Sequence, residues 1–94
     1  MGKRFPSSEE CVERIRKGDP TALVPLIEAL EREQDPRAQI LERRLEAAME
    51  AAANPPPGVD VSTNVVSCYQ MACVFAIRLM QPQAGRIAQA VNKL

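Results

Sequence analysis

Histidine and tryptophan are missing altogether from these 94 residues, and only Phe5, Tyr69 and Phe75 are aromatic. Without His the chain lacks the common general base near neutral pH and the commonest metal ligand. Without more aromatics it lacks a platform on which nucleic-acid bases could stack. Net charge is missing too. Twelve Lys and Arg balance twelve Asp and Glu, so the overall balance points neither to a strongly basic nucleic-acid binder nor to an acidic tail. The four glycines, Gly2, Gly18, Gly58 and Gly85, are isolated, so no glycine-rich loop is available to cradle a phosphate.

Long apolar runs are also lacking. The longest, Val65 to Met80, is broken by Ser67, Gln70 and Arg78 and falls short of the roughly 20 residues that span a bilayer. It reads as a core helix, with no membrane role. No apolar segment follows Lys3 and Arg4 to make a signal peptide, and Pro6 stands where a myristoylation signal has Ser or Thr. The expected location is the cytoplasm. Cys11, Cys68 and Cys73 are odd in number and lie in apolar surroundings, which fits buried free thiols in a reducing compartment better than a disulfide framework. On one helix Cys68 and Cys73 would point about 140° apart, so they cannot clamp a metal between them. No metal and no cofactor is expected. A cysteine nucleophile would need a base beside it in sequence, and none adjoins Cys68 or Cys73. The carboxylates either have a basic residue within a turn or open a helix. The chain is therefore expected not to be an enzyme.

What remains is enough for one small domain, with a hydrophobic share of 46% and a charged share of 26% placing it among globular chains. Helical punctuation runs through it. Ser7 and Ser8 followed by Glu9 and Glu10 open a first helix over about 8–17, which Gly18 stops. Asp19-Pro20 opens a second, to about Arg32, whose Leu23, Leu26, Ile27 and Leu30 share one face. Pro25, one turn in, predicts a local kink or a late start near Thr21. Asp35-Pro36 repeats the same punctuation sixteen residues later and opens a third helix to about Ala53, with Ile40, Leu41, Leu45, Ala48, Met49 and Ala52 as its apolar stripe.

Asn54-Pro55-Pro56-Pro57-Gly58 cannot continue a helix and reads as a stiff spacer. Ser62 or Thr63 is then expected to cap a fourth helix to about Gln81. Apolar on three sides, it reads as a central helix surrounded by others. A fifth, amphipathic helix is expected over about 83–93, with Ile87, Val91 and Leu94 on its apolar side. Period-two alternation is absent. The expected fold is all-α: a compact bundle of about five helices packed around residues 65–80, forming one domain over 1–94. Its parts are a three-helix stretch (8–53), a Pro-rich linker (54–61) and a two-helix stretch (62–94).

The stretch Gly18-Asp19-Pro20-Thr21-Ala22-Leu23-Val24-Pro25-Leu26-Ile27-Glu28-Ala29-Leu30 resembles the second helix of a HEAT-like repeat of the phycobilisome-lyase type, which opens on Gly-Asp-Pro and packs through Ala, Pro-Leu-Ile and Ala-Leu. Asp35-Pro36-Arg37 resembles the start of the next repeat in that family. Over roughly residues 18–45 the resemblance implies a stacking helical hairpin, and a role in protein contact with no chemistry of its own.

Two readings of function follow. The first is a non-catalytic protein–protein interaction module, acting as a homo-oligomer or as an accessory subunit of a larger assembly. Its partner-binding residues would be the apolar Phe75, Leu79, Ile87, Val91 and Leu94, rimmed by Arg78 and Arg86. The alternative rests on charge: residues 61–94 hold Arg78, Arg86 and Lys93 and no acid. With Arg43 and Arg44 these could meet a nucleic-acid backbone as part of a nucleoprotein complex.

Overall fold

The fold is that of a computed structural model, which describes residues 4–81. Among these every regular element is helical. Helix α1 spans Ser8–Arg16, a 3₁₀ turn spans Pro20–Ala22, and α2 (Leu23–Arg32), α3 (Arg37–Ala53) and α4 (Val61–Leu79) follow. The described residues thus form four α-helices, one fewer than expected; the fifth, over 83–93, falls outside them.

Capping explains most of the boundaries. The Ser7 hydroxyl accepts the Glu10 amide at 3.2 Å and opens α1. The Asp19 carboxylate accepts the Thr21 amide at 3.1 Å, and three residues of 3₁₀ turn then precede α2. Pro25 therefore sits at the third position of α2, in the first turn, where the hydrogen it lacks would have had no partner in the helix. The helix thus starts late, close to the expected Thr21, and Pro25 does not break it.

The turn into the 3₁₀ segment and the turn into α3 are the same structure built twice. In the first, the Gly18 amide donates to the Ile15 carbonyl and Asp19 to Arg14; in the second, Gln34 donates to Glu31 and Asp35 to Leu30. Each turn passes through the left-handed region, at Gly18 (φ 95°) and at Gln34 (φ 56°). Each Asp then accepts the amide two residues on, with Asp35 taking that of Arg37 at 3.0 Å.

Helices α1 and α2 form an antiparallel hairpin tied at its open end. Ser8 donates through its amide and hydroxyl to the Glu33 carboxylate, at 3.0 and 2.7 Å, and Arg32 donates to the Pro6 carbonyl at 3.0 Å while lying over the Phe5 ring. Helices α3 and α4 form a second antiparallel hairpin around the Pro55–Gly58 turn.

The centre of the core is α2 and not, as expected, residues 65–80. Leu23, Leu26 and Leu30 are fully buried together with Leu41 of α3 and Cys11 of α1. What α4 adds to this cluster is small: Ala72, Cys73 and Ala76. Its large Val65, Val66, Met71 and Val74 are exposed. Its Tyr69, Phe75, Ile77 and Leu79 pack half-buried against the cluster, but one side of it stays open, so it is a flanking helix and not a surrounded one.

Candidate interaction surface on the α3–α4 hairpin

The hairpin is closed by one buried side chain that the sequence reading passed over. Asn64, in the first turn of α4, donates its amide hydrogens to the Ala51 and Ala52 carbonyls at 2.8 and 3.1 Å. Asn54 donates in the same way to Glu50 at 3.0 Å. The last carbonyls of a helix have no partner within it, and here two asparagines supply three of them. The cap of α4 is Asp60 and not Ser62 or Thr63: its carboxylate accepts the Thr63 amide at 3.3 Å and the Ser62 hydroxyl. Those bonds hold its carboxyl below the usual carboxylate range, with the Ser62 hydroxyl as the larger cause. An aspartate is the stronger anchor because it sets a negative charge on the positive end of the helix. The helix also ends two residues early, at Leu79.

The two faces of this hairpin differ. Against one, α1 and the 3₁₀ turn reach α4 through Ile15 and Pro20, on the side of Cys73 and Ile77. The other carries a groove lined by Arg44, Ala47, Ala48, Ala51, Cys68 and Met71, to which α1 and α2 contribute nothing. Met71 stands 59% exposed in it, and Ile40, one turn before Arg44, is 48% exposed. The Arg44 guanidinium crosses from α3 to lie 5.2 Å from the centre of the Phe75 ring on α4, a contact that ties the two helices and holds a positive charge at the groove.

Of the residues expected to bind a partner, Phe75, Arg78 and Leu79 fall within the described chain; Arg86, Ile87, Val91 and Leu94 lie outside it, as does Lys93. Phe75 and Leu79 are half-buried and packed against the core cluster, so neither is the exposed apolar residue the sequence suggested. Arg78 is exposed, and its spacing from Met71 and Phe75 puts it on their side of α4. Arg43 and Arg44 alternate with Glu42 and Glu46 along α3, so they form no continuous basic stripe. Met71 and Ile40 are the residues that sequence reasoning missed. Their signal lies in the spacing: Ile40, Arg44, Ala47 and Ala51 on α3, and Asn64, Cys68, Met71, Phe75 and Arg78 on α4, each follow alternating steps of three and four.

The thiols are quiet. Burial pushes Cys11 and Cys73 above the ordinary thiol value, which disfavours the reactive thiolate. Cys68 is half-buried, with its sulfur 3.6 Å from the Asn64 side-chain oxygen. Among the described residues no group of three His, Cys, Asp or Glu side chains is placed to hold a metal ion, and no helix is long and apolar enough to cross a membrane. No family model, curated protein or solved structure matches this chain.

Proposed function

We propose that this chain is a small, non-catalytic helical module that works in the cytoplasm by presenting the α3–α4 face to a protein partner, as a homo-oligomer or as an accessory subunit. The observation that carries this reading is the pairing of exposed apolar side chains with an otherwise folded unit. Met71 and Ile40 flank a groove that nothing in the described chain covers, while the core beneath is complete without them. Clustered exposed apolar groups rimmed by charge are the common composition of interaction sites. The HEAT-like resemblance of residues 18–45 agrees with such a role.

Photo-cross-linking from two positions tests it. A benzoylphenylalanine at position 71 is expected to capture protein in cells, and one at the exposed Glu28 of α2 is not. Equal capture from both positions, or none from either, contradicts the reading. The nucleic-acid alternative makes a different prediction: reversing the charges of Arg78, Arg86 and Lys93 would abolish binding, and that binding would fall steeply with salt.

A further inference from the structure

We infer that the partner of the α3–α4 face is a second copy of this chain, packed antiparallel across a two-fold axis to make a four-helix bundle. This rests on the reading above and names its partner. The seams of α3 and α4 follow the three-four spacing by which helices of such bundles interlock, and their Ile40, Arg44, Ala47, Ala51, Met71 and Arg78 are exposed.

Charge selects a second copy over an unrelated helix. The Asn64 bonds to Ala51 and Ala52, and the shared groove of Arg44, Ala47, Ala51, Cys68 and Met71, fix which residues of the two helices lie level. A two-fold axis crossing α3 between Glu46 and Ala47 then crosses α4 beside Cys68. That one axis sets Arg43 level with Glu50 of the other copy and Arg78 level with the other copy's Asp60. Opposite charges thus meet at both edges of the interface from a single choice of axis. Among the described residues, none of Arg43, Glu50, Arg78 and Asp60 is in a salt bridge within the chain. Between these pairs, α4 carries no charged side chain from Val61 to Ile77, so two copies of it meet without like-charge repulsion. A two-fold axis along the helices would instead stack α3 on α4 of the other copy and lose both pairs.

The area suits a reversible dimer. With α3 at 17 residues, a two-helix face about 26 Å long and about 20 Å wide covers about 500 Å² on each copy. The total of about 1,000 Å² lies at the small end of specific interfaces, where association is weak and transient.

Sedimentation equilibrium of the full chain across micromolar to millimolar concentration tests this. The expected result is a mass that rises with concentration from 10.3 kDa toward twice that value. Met71→Asp is expected to weaken association at least tenfold with unchanged helical circular dichroism. Val66→Asp, on the opposite side of α4, is expected to leave it intact. Arg43→Glu and Glu50→Arg are each expected to weaken it by about two- to fivefold, and the double exchange to restore it. A monomer at every concentration overturns the inference, as does a dimer that survives Met71→Asp or is lost through Val66→Asp. A monomer whose position 71 still cross-links a different protein overturns the second copy while keeping the interaction reading. A monomer that cross-links nothing removes both.

Discussion

The two hairpins invert what composition alone leads one to expect. The α1–α2 hairpin is rich in charge, yet among the described residues four of the five largest fully buried side chains lie in it, and its open end is tied by Ser8, Glu33 and Arg32. The α3–α4 hairpin includes the least charged helix, yet that helix buries only Ala72, Cys73 and Ala76 in the core beside Leu41 of α3, packs Tyr69, Phe75, Ile77 and Leu79 partly against it, and leaves its valines and Met71 facing outward. Apolar content measures what a segment could bury. Which side chains are buried depends on how closely neighbours approach, and small residues at the contact decide that.

The hardest break to this contrast is in the core. Leu26→Ala and Leu30→Ala, both at fully buried positions, are expected to cost about 2–5 kcal/mol, enough to unfold much of so small a domain at room temperature. Urea unfolding followed by circular dichroism checks this, and the loss should exceed that from truncating any valine of α4.

Next in size is the closure of the second hairpin. Asn64→Ala removes the donors to Ala51 and Ala52; Ala51 keeps the Asn54 amide, but the Ala52 carbonyl loses its partner, at an expected cost of about 1–3 kcal/mol. Amide exchange should quicken first at the end of α3 and the start of α4, with α1 and α2 little changed.

Acid sharpens the comparison from the other side. Hydrogen bonding to the Arg37 guanidinium, opposed by partial burial, holds the Asp35 carboxyl below the usual range. Its contribution to stability is therefore complete above the unfolded carboxyl value of about 4 and is lost as pH falls through that value toward the lower folded one. Asp35→Asn is expected to cost about 1 kcal/mol at pH 7 as the Arg37 guanidinium loses its charged acceptor, and the gap to the parent should narrow as pH falls below about 4. Asp19, held down chiefly by the Thr21 hydroxyl and by Arg14, shifts stability in the same direction.

The smallest effect has the opposite sign. Gln34 occupies a left-handed conformation that its twin Gly18 adopts without strain, so Gln34→Gly is expected to stabilise the fold by up to about 1 kcal/mol. A thermal scan would show a raised melting temperature, whereas Gly18→Ala should lower it.

The helices were legible because their punctuation is local. Asp19-Pro20 and Asp35-Pro36 each announce a turn whose bonds lie within a few residues, and the Leu23, Leu26, Leu30 stripe marks a buried face. Two parts of the site were not legible. Asn64 acts through carbonyls 12 and 13 residues away, and no local pattern records that. The direction of α4 was hidden as well, because a helix apolar on three sides does not say which side touches the core. The alanines at 72 and 76 decided it, and small residues carry little weight in a hydrophobic pattern.

The central claim is that the groove side of α3–α4 meets a second copy of this chain. Its most direct test is the methionine methyl spectrum of the isotope-labelled chain recorded on serial dilution. Met71 lies on the groove side, Met49 on the other side of the same hairpin, and Met80 is half-buried at the end of α4. The account predicts that the Met71 methyl resonance shifts with concentration while those of Met49 and Met80 hold still. A shift confined to Met49, or a spectrum unchanged from millimolar to micromolar, would contradict it.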